Sequence, residues 1–506
     1  MTGPTSRHIF IIRSIPMIPK PYRTSLALCL CLPLLASCMV GPDFQRPEAK
    51  VSSQWLGQAP TVPAAPEAAP TAEQNLAQWW TIFNDPQLTS LVERGMQANL
   101  DLRMAQSRIR QARASMGIAG ADLGPTVNTN ASLTRSRTPA SSTRSEVTTG
   151  NLYQAGFDAG WEIDLFGGLR RGVEAAGADL DAAMENRNDL LVSLSAEVAS
   201  NYLNLRSLQQ RLAIARENLK AQAHTADLTR QRFNVGFASK LDVVRAESLA
   251  ATTAGQIPLL EAQVRQTIYS LSLLLGGEPS ALLAELTPEA PLPAAQATVP
   301  VGLPSDLLLR RPDIRRAIAK IHAATARIGV AKADLFPKFT ISGAFGYQNT
   351  NSNALFNTAS SFWSLGPALN WPLFDMGRTR ANLELKKALQ EEELLAYEQT
   401  VLNALREVEN ALIASTKEEE HRQAMAQAVA ANRTAVELAT SLYTAGQNDF
   451  LAVLDAQRSL YTAEDALAQS SRTVSTNLVA LYKALGGGWQ TEEAAPRQAQ
   501  GERETD

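Results

Sequence analysis

Beyond residue 38 this chain of 506 residues contains no cysteine; all three, Cys29, Cys31 and Cys38, fall near its start. No internal disulfide can brace the remainder. Histidine is scarce too, and His224, His322 and His421 stand on separate helical stretches, each without a second ligand at metal spacing. HExxH, GxSxG and phosphate-loop patterns are missing, and GGEP (Gly276 to Pro279) and GGGW (Gly486 to Trp489) lack the following Lys of such a loop. Catalysis has no visible carrier, and the residues imply no cofactor and no metal. Positive charge is not in excess either. The formal net charge is −3, and it becomes −7 once residues 1–37, with four basic residues and no acid, are set aside. That balance argues against nucleic acid as a partner. Finally, no run of eighteen apolar residues follows residue 38, so no helix spans a bilayer. A membrane crossing would have to be made by strands.

What is present begins with a targeting segment. Arg7, Arg13, Lys20 and Arg23 precede the apolar run SLALCLCLPLLA, which is too short for a spanning helix and reads as a secretory signal over residues 1–37. Met17 with Lys20 and Arg23 would already make a signal of conventional length. The run ends in LASC, the small-residue pattern of a bacterial lipobox, so Cys38 is expected to receive lipid and become the first mature residue. Residues 38–78 then form a lipid-anchored segment, MVGPDFQRP, and a Pro/Ala-rich extended linker.

The rest is written twice. WEIDLFGGLR (Trp161 to Arg170) is echoed 210 residues later by WPLFDMGRTR (Trp371 to Arg380), with Trp, Gly and Arg at matching places. RFNVGFASKLDVVRAE (Arg232 to Glu247) lies over LYTAGQNDFLAVLDAQ (Leu442 to Gln457) at the same shift, and ADLGP (Ala121 to Pro125) over ADLFP (Ala333 to Pro337) at 212. Such a period is far too long for a solenoid and implies a tandem duplication. The first repeat is expected over 79–285 and the second over 304–488, with a linker at 286–303 and a disordered tail at 489–506.

Within each repeat the period changes from helix to strand and back. Asn84 and Asp85 before Pro86 start one long helix that Gly124-Pro125 ends. Then Tyr153, Ala155, Phe157, Ala159, Trp161, Ile163 and Leu165 alternate with polar or glycine positions, which predicts a strand at about 151–166, with a weaker one at 125–137 and a polar loop around Ser141 between them. The second repeat alternates likewise over about 338–348 and 361–374. Glu162 and Asp164 then face the same side. Each hairpin leads into helical runs, about 169–275 and 378–486, that reverse at Gly236 and Gly446; Gly255 and Pro258 should kink the first return helix. The outgoing arm of some sixty residues would reach ~90 to 100 Å, and its Ala/Leu-rich pattern suits antiparallel coiled coils. The repeated motif marks the place where strand becomes helix: Trp161 and Trp371 at a membrane interface, Gly167 and Gly377 at the bend, Arg170 and Arg380 on the wet side. Four amphipathic strands cannot close a barrel whose minimum is about eight, so copies must cooperate, and eight, twelve or sixteen strands remain open.

The pieces CMVGPDFQRP, WWTIFNDPQL, WEIDLFGGLRR, RFNVGFASKLDV, LPSDLLLRRPDIRRA, ARIGVAKADLFP, PLFDMGR, YTAGQNDFLAVLDAQRSL and LYKALGGGW, in this order, resemble the TolC-like outer-membrane efflux protein family, and its lipoprotein (NodT-type) branch in particular. The likeness runs from Cys38 to about Trp489. It implies a mainly α protein with membrane β-strands: a homotrimer forming one twelve-stranded β-barrel in the outer membrane, joined to a long α-helical barrel in the periplasm. It also implies a periplasmic adaptor (membrane fusion) protein and an inner-membrane pump such as an RND-type transporter as partners. Energy and substrate selection would belong to the pump, and this chain would be a passive exit duct and no enzyme. The resemblance places Leu451 and Asp455, four apart on one helix face, at the narrowest point of the periplasmic end. Tyr443 and Asp242 match positions that hydrogen-bond across the two halves, and Asn448 stands where some relatives carry Arg. The alternative is a lipid-anchored periplasmic coiled-coil scaffold or adaptor without a channel. An adaptor needs a compact β domain interrupting one helical hairpin, whereas this chain has two hairpins preceded by strands.

Overall fold

The computed structural model describes residues 39–49, 51–52, 54–56, 76–139, 147–294 and 304–489. The signal segment, Cys38, the loop around Ser141, most of the two linkers and the tail expected after Trp489 lie outside the described residues. After a 3-10 turn at Trp79–Phe83, the first repeat runs through α1 (Pro86–Ala98), α2 (Leu100–Ala121), β1 (Thr126–Thr138), β2 (Thr148–Ile163), α3 (Gly168–Asn234), α4 (Lys240–Leu274) and the short α5 (Leu283–Leu286). The second comprises the short α6 (Leu307–Arg310), α7 (Pro312–Ala333), β3 (Lys338–Asn349), β4 (Ser361–Asn370), α8 (Arg378–Thr444) and α9 (Phe450–Ala484). α3 and α8 are both 67 residues long, α4 and α9 both 35, and their starts differ by 210 positions each time. No described helix is long and apolar enough to cross a membrane.

Local chemistry sets the boundaries. Asp85 caps α1, its Oδ1 accepting the backbone N–H of Gln87 at 2.8 Å and of Leu88 at 3.0 Å. The single helix expected from Pro86 to Leu123 is in fact two. Asn99 interrupts it because its Oδ1 takes the N–H groups of Asp101 and Leu102, capping a new helix, while its Nδ2 donates to Leu274 O at 2.9 Å. By contrast, Gly255 and Pro258 do not interrupt α4.

The chain divides into two compact units. The first takes the described residues up to Phe44 with Met116–Ala176 and Ala323–Gln390. Its center is one antiparallel sheet in the order β1-β2-β3-β4. The two repeats join where β2 pairs with β3, Phe157 opposite Phe345 and Trp161 opposite Ile341. The strands end sooner than the alternation suggests: β2 stops at Ile163 and β4 at Asn370, so Leu165, Trp371 and Leu373 lie beyond them. Asp164 also lies beyond β2, and its Oδ2 accepts the backbone N–H of Arg170 at 2.9 Å and its Nε at 3.2 Å, at the start of α3.

The second unit takes Gln45–Ser115, Gly177–His322 and the chain from Glu391 on. Its core brings the start of the first repeat (Trp79, Trp80, Leu88, Leu91) to the middle of α3 (Val198, Tyr202, Leu205) and the end of α9 (Leu481, Tyr482). The Trp79 and Tyr482 rings stack at 5.4 Å. One buried polar group is set among them: Tyr202 Oη donates to Asp85 Oδ2 at 2.7 Å, and the Arg206 guanidinium lies 4.9 Å from the Tyr202 ring center. Burial and the Asp85 carboxylate push the Tyr202 phenol up to about 12, against the opposing pull of Arg206.

Candidate functional site

Two places gather the residues singled out in the sequence, and each is treated within its own unit. The first is the pair of hairpin tips. Gly236 (φ +83°) and Gly446 (φ +74°) adopt the left-handed conformation that glycine tolerates. Both tips close with the same pair of bonds: Phe237 N–H to Arg232 O and Gly236 N–H to Phe233 O, then Gln447 N–H to Leu442 O and Gly446 N–H to Tyr443 O. This is the Schellman arrangement, which satisfies carbonyls left over at a helix end.

Around the second tip a small core forms from Ala226, Ala246, Tyr443, Phe450, Val453 and Leu454, so both repeats contribute to it. Tyr443 meets the Phe450 ring at 5.2 Å. Arg232, from the first repeat, lays its guanidinium 4.6 Å from the Tyr443 ring center and donates from Nη1 to Thr444 O at 3.3 Å. Leu451 and Asp455 stay outside this core on the exposed side of α9; Leu451 is 46% exposed. Asn448 accepts the Asp449 N–H at 3.0 Å. Within one chain Tyr443 and Asp242 do not bond to each other. Asp242 Oδ2 instead accepts from Ser239 N and Oγ, completing a capping box at the start of α4, and the buried Tyr443 hydroxyl has no partner among the described residues. Arg232, which nothing in the sequence singled out, makes one of the contacts between the halves, beside Gln457 Nε2 donating to Thr225 Oγ1 at 2.8 Å.

The second place is the pair of strand-to-helix junctions in the first unit. Trp161 Nε1 donates to Leu123 O at 2.9 Å and Trp371 Nε1 to Leu335 O at 3.1 Å. Leu123 and Leu335 are corresponding residues of ADLGP and ADLFP, so each indole ties the end of a strand to the helix that preceded its hairpin. Gly167 (φ +79°) and Gly377 (φ +83°) make the bends. Arg170 is held by Asp164, whereas Arg380 is exposed. At the second junction Asp375 accepts from Gly377 N at 3.0 Å and Thr379 N at 2.8 Å.

Among the described residues the first junction alone carries a strap. Val40 N–H donates to Phe166 O at 3.0 Å, Met39 covers Gly167, and Gly41 passes so close to Gly329 that a Cβ on Gly41 would stand 2.6 Å from its Cα. Asp43 Oδ1 reaches Arg171 Nη2 at 2.5 Å, and Glu174 Oε2 reaches Nη1 at 2.7 Å. Burial works against the Arg171 charge, but these two carboxylates outweigh it and raise its pKa.

Neither place assembles catalytic chemistry, and the described residues hold no group of three or more potential metal ligands. His421 is less isolated than the sequence suggests, because its Nδ1 lies 3.2 Å from Glu418 Oε1 and 3.4 Å from Ser470 Oγ. Ser470 Oγ donates to Glu418 Oε1 at 2.5 Å, however, so its hydroxyl hydrogen is directed to the carboxylate and not to the histidine.

The family model for the outer membrane efflux protein matches residues 91–277 and again 303–487. The chain belongs to that family. Nodulation protein T of Rhizobium leguminosarum bv. trifolii is 34% identical over 90% of this chain and 96% of its own, and the toluene efflux pump outer membrane protein TtgF of Pseudomonas putida is 35% identical over 95% and 100%. Among solved structures, the outer-membrane channel OprN superposes with a TM-score of 0.84 at 37% identity, covering 89% of this chain and all of that one. The fold of this outer membrane efflux protein is therefore that of the TolC-like channels, and each matched segment ends close to Gly276 or Gly486, the two glycines that end its return helices at positive φ.

Proposed function

We propose that this outer membrane efflux protein is the passive exit duct of a tripartite efflux system, acting as a lipid-anchored homotrimer. One observation carries the reading. The four-stranded sheet is open at β1 and β4, and one of its faces exposes Leu133, Phe157, Phe345, Trp363, Leu365 and Leu369. A soluble monomer does not leave such a face and two unpaired edges to water. All four strands have 10 residues or more, enough to cross a bilayer. Because the strands alternate in direction, β4 of one copy meets β1 of the next antiparallel, and three copies make twelve strands with the apolar face to lipid and the polar face inward.

The gate of this duct is the pair of tips, where Leu451 and Asp455 would form an apolar ring and a carboxylate ring across three copies. A periplasmic adaptor and an inner-membrane pump of the RND type supply the substrate, and the toluene efflux relative supports small toxic compounds as cargo. Cys38, the residue before Met39 in sequence, would carry the lipid anchor. Light scattering in mild detergent and planar-bilayer recording test the reading together. A trimer that conducts supports it; a stable, non-conducting monomer returns the chain to the scaffold alternative. Labelled palmitate should enter the wild type but not Cys38→Ser.

A further inference from the structure

On the polar face of the sheet, the side chains of β4 are Phe362, Ser364, Gly366, Ala368 and Asn370, so one aromatic ring stands where the others are small or polar. Phe362 pairs with Gly346 of β3, and Gly346 pairs with Gly156 of β2. The two glycine backbones approach closely, Gly156 Cα lying 2.8 Å from where a Cβ on Gly346 would stand, and the ring lies against Gly346, with Phe362 Cε1 3.1 Å from the same point. Gly346 is accordingly buried, alone among the strand residues whose burial is described. The ring thus lies along the sheet with part of its surface open. Two residues beyond Gly156 on the same face is Asp158, whose carboxylate accepts from Asn128 and Asn130. With strands about 4.8 Å apart and a rise of about 3.4 Å per residue, Phe362 and Asp158 are separated by roughly 12 Å along the wall. An aromatic face and a fixed negative charge at that separation match a planar cation of two or three fused rings.

We propose that Phe362, recessed against Gly346, is a contact site for planar aromatic cations in the outer part of the lumen, with Asp158 as the countercharge. The proposal rests on the duct reading, which turns the polar face inward. Phe362 is the second residue of β4 and so lies at the end of the sheet away from the helices, near the mouth through which solutes leave. A ring laid into the wall offers contact without narrowing the passage as an upright aromatic would.

Open-channel block by ethidium in planar bilayers tests this, with tetrabutylammonium as a non-aromatic cation. Ethidium block should weaken about 2- to 10-fold in Phe362→Ala, and also in Phe362→Leu, which keeps apolar bulk against Gly346 and serves if the alanine variant fails to insert. Trp363→Ala, one residue along and on the opposite face, should block as wild type does. Equal ethidium block in Phe362→Leu channels of normal conductance overturns the proposal. So does an equal loss of tetrabutylammonium block, which would mark a change of width alone. A wild-type trimer that never conducts sinks the duct reading itself, and this inference with it.

Discussion

Removing Arg232 should open the periplasmic end, and removing the Tyr443 hydroxyl should not. Arg232 is half-buried, its guanidinium 4.6 Å from the Tyr443 ring and its Nη1 3.3 Å from Thr444 O. A partly exposed cation–π contact contributes about 0.5–2 kcal/mol, and a long hydrogen bond from a charged donor about 1 kcal/mol. Arg232→Ala therefore costs the closed tip about 2 kcal/mol per copy, a shift of roughly 30-fold in its opening equilibrium. If three copies open together the effects add to about 6 kcal/mol, or ~10⁴-fold. Tyr443→Phe keeps the ring, its tilted contact with Phe450 and the cation contact, and deletes a buried hydroxyl that has no partner among the described residues. Leaving such a group unsatisfied is unfavorable, so Tyr443→Phe should be silent or slightly tighter. Single-channel recording reads both as open probability, with uptake of a large antibiotic as the cellular counterpart. If Tyr443→Phe opens the channel as much as Arg232→Ala, the hydroxyl is bonded in the assembly and the Arg232 argument fails.

Leu451→Ala with Asp455→Ala should raise conductance and weaken cation preference; an unchanged reversal potential in a correctly inserted variant would return both residues to the coiled-coil surface. Gly329→Leu drives a side chain into Arg171, whose Cγ would lie 2.8 Å from the new Cβ, at a cost of about 1–3 kcal/mol, and should release the strap to chymotryptic cleavage after Phe44, read by mass spectrometry, while Gly120→Leu, in open space, should not. Because the Tyr202 phenol sits at about 12 when folded against about 10 when unfolded, its contribution is complete below pH 10 and declines as pH rises through 12. Tyr202→Phe should therefore lower stability at neutral pH yet lose less of it between pH 10 and 12, as chemical denaturation will reveal; a slope equal to that of the wild type refutes the assignment.

The parts of the fold legible in the sequence are those set by repeated, local constraints. Gly236, Gly446, Gly167 and Gly377 had to be bends because each occupies positive φ, and the alternation from Tyr153 to Ile163 could only be a strand with two unlike faces. The less legible parts turn on competition between a side chain and the regular backbone. Asn99 and Asp164 each take N–H groups that begin a helix, so one splits a helix and the other marks where β2 has ended. Nothing in their spacing distinguishes them from ordinary surface residues. Arg232 was harder still, because its partners Tyr443 and Thr444 lie more than 200 positions away in the other repeat. Asp242 was legible locally, because it stands three residues after Ser239 and completes a capping box with it; the contact that family likeness implies for it across the halves has no counterpart within the single chain.

Duplication by itself yields two equal tips, and the chain makes them unequal with few changes. At the 210-residue shift Leu241 corresponds to Leu451 and Val243 to Val453; the leucines are both exposed and the valines both buried. Phe233, 37% exposed, corresponds to Tyr443, 6% exposed, and Lys240 to the buried Phe450. The second tip thereby acquires an aromatic core, while the first keeps an exposed Phe237 where the second has Gln447. The Leu face changes sign as well, since Arg245 stands four residues after Leu241 and Asp455 four after Leu451. At this matched position a carboxylate ring in the proposed duct would come from the second repeat; if both repeats lined it equally, Arg245 and Asp455 would cancel. The packing agrees with that division of labor. Phe450 and Tyr443 are anchored, so the start of α9 is held where Leu451 and Asp455 can project from a fixed support, and Arg232 of the first repeat provides part of the support. In the proposed duct the two copies of one design would thus take different roles, the first bracing the second tip through Arg232 and the second carrying Leu451 and Asp455 on an anchored helix.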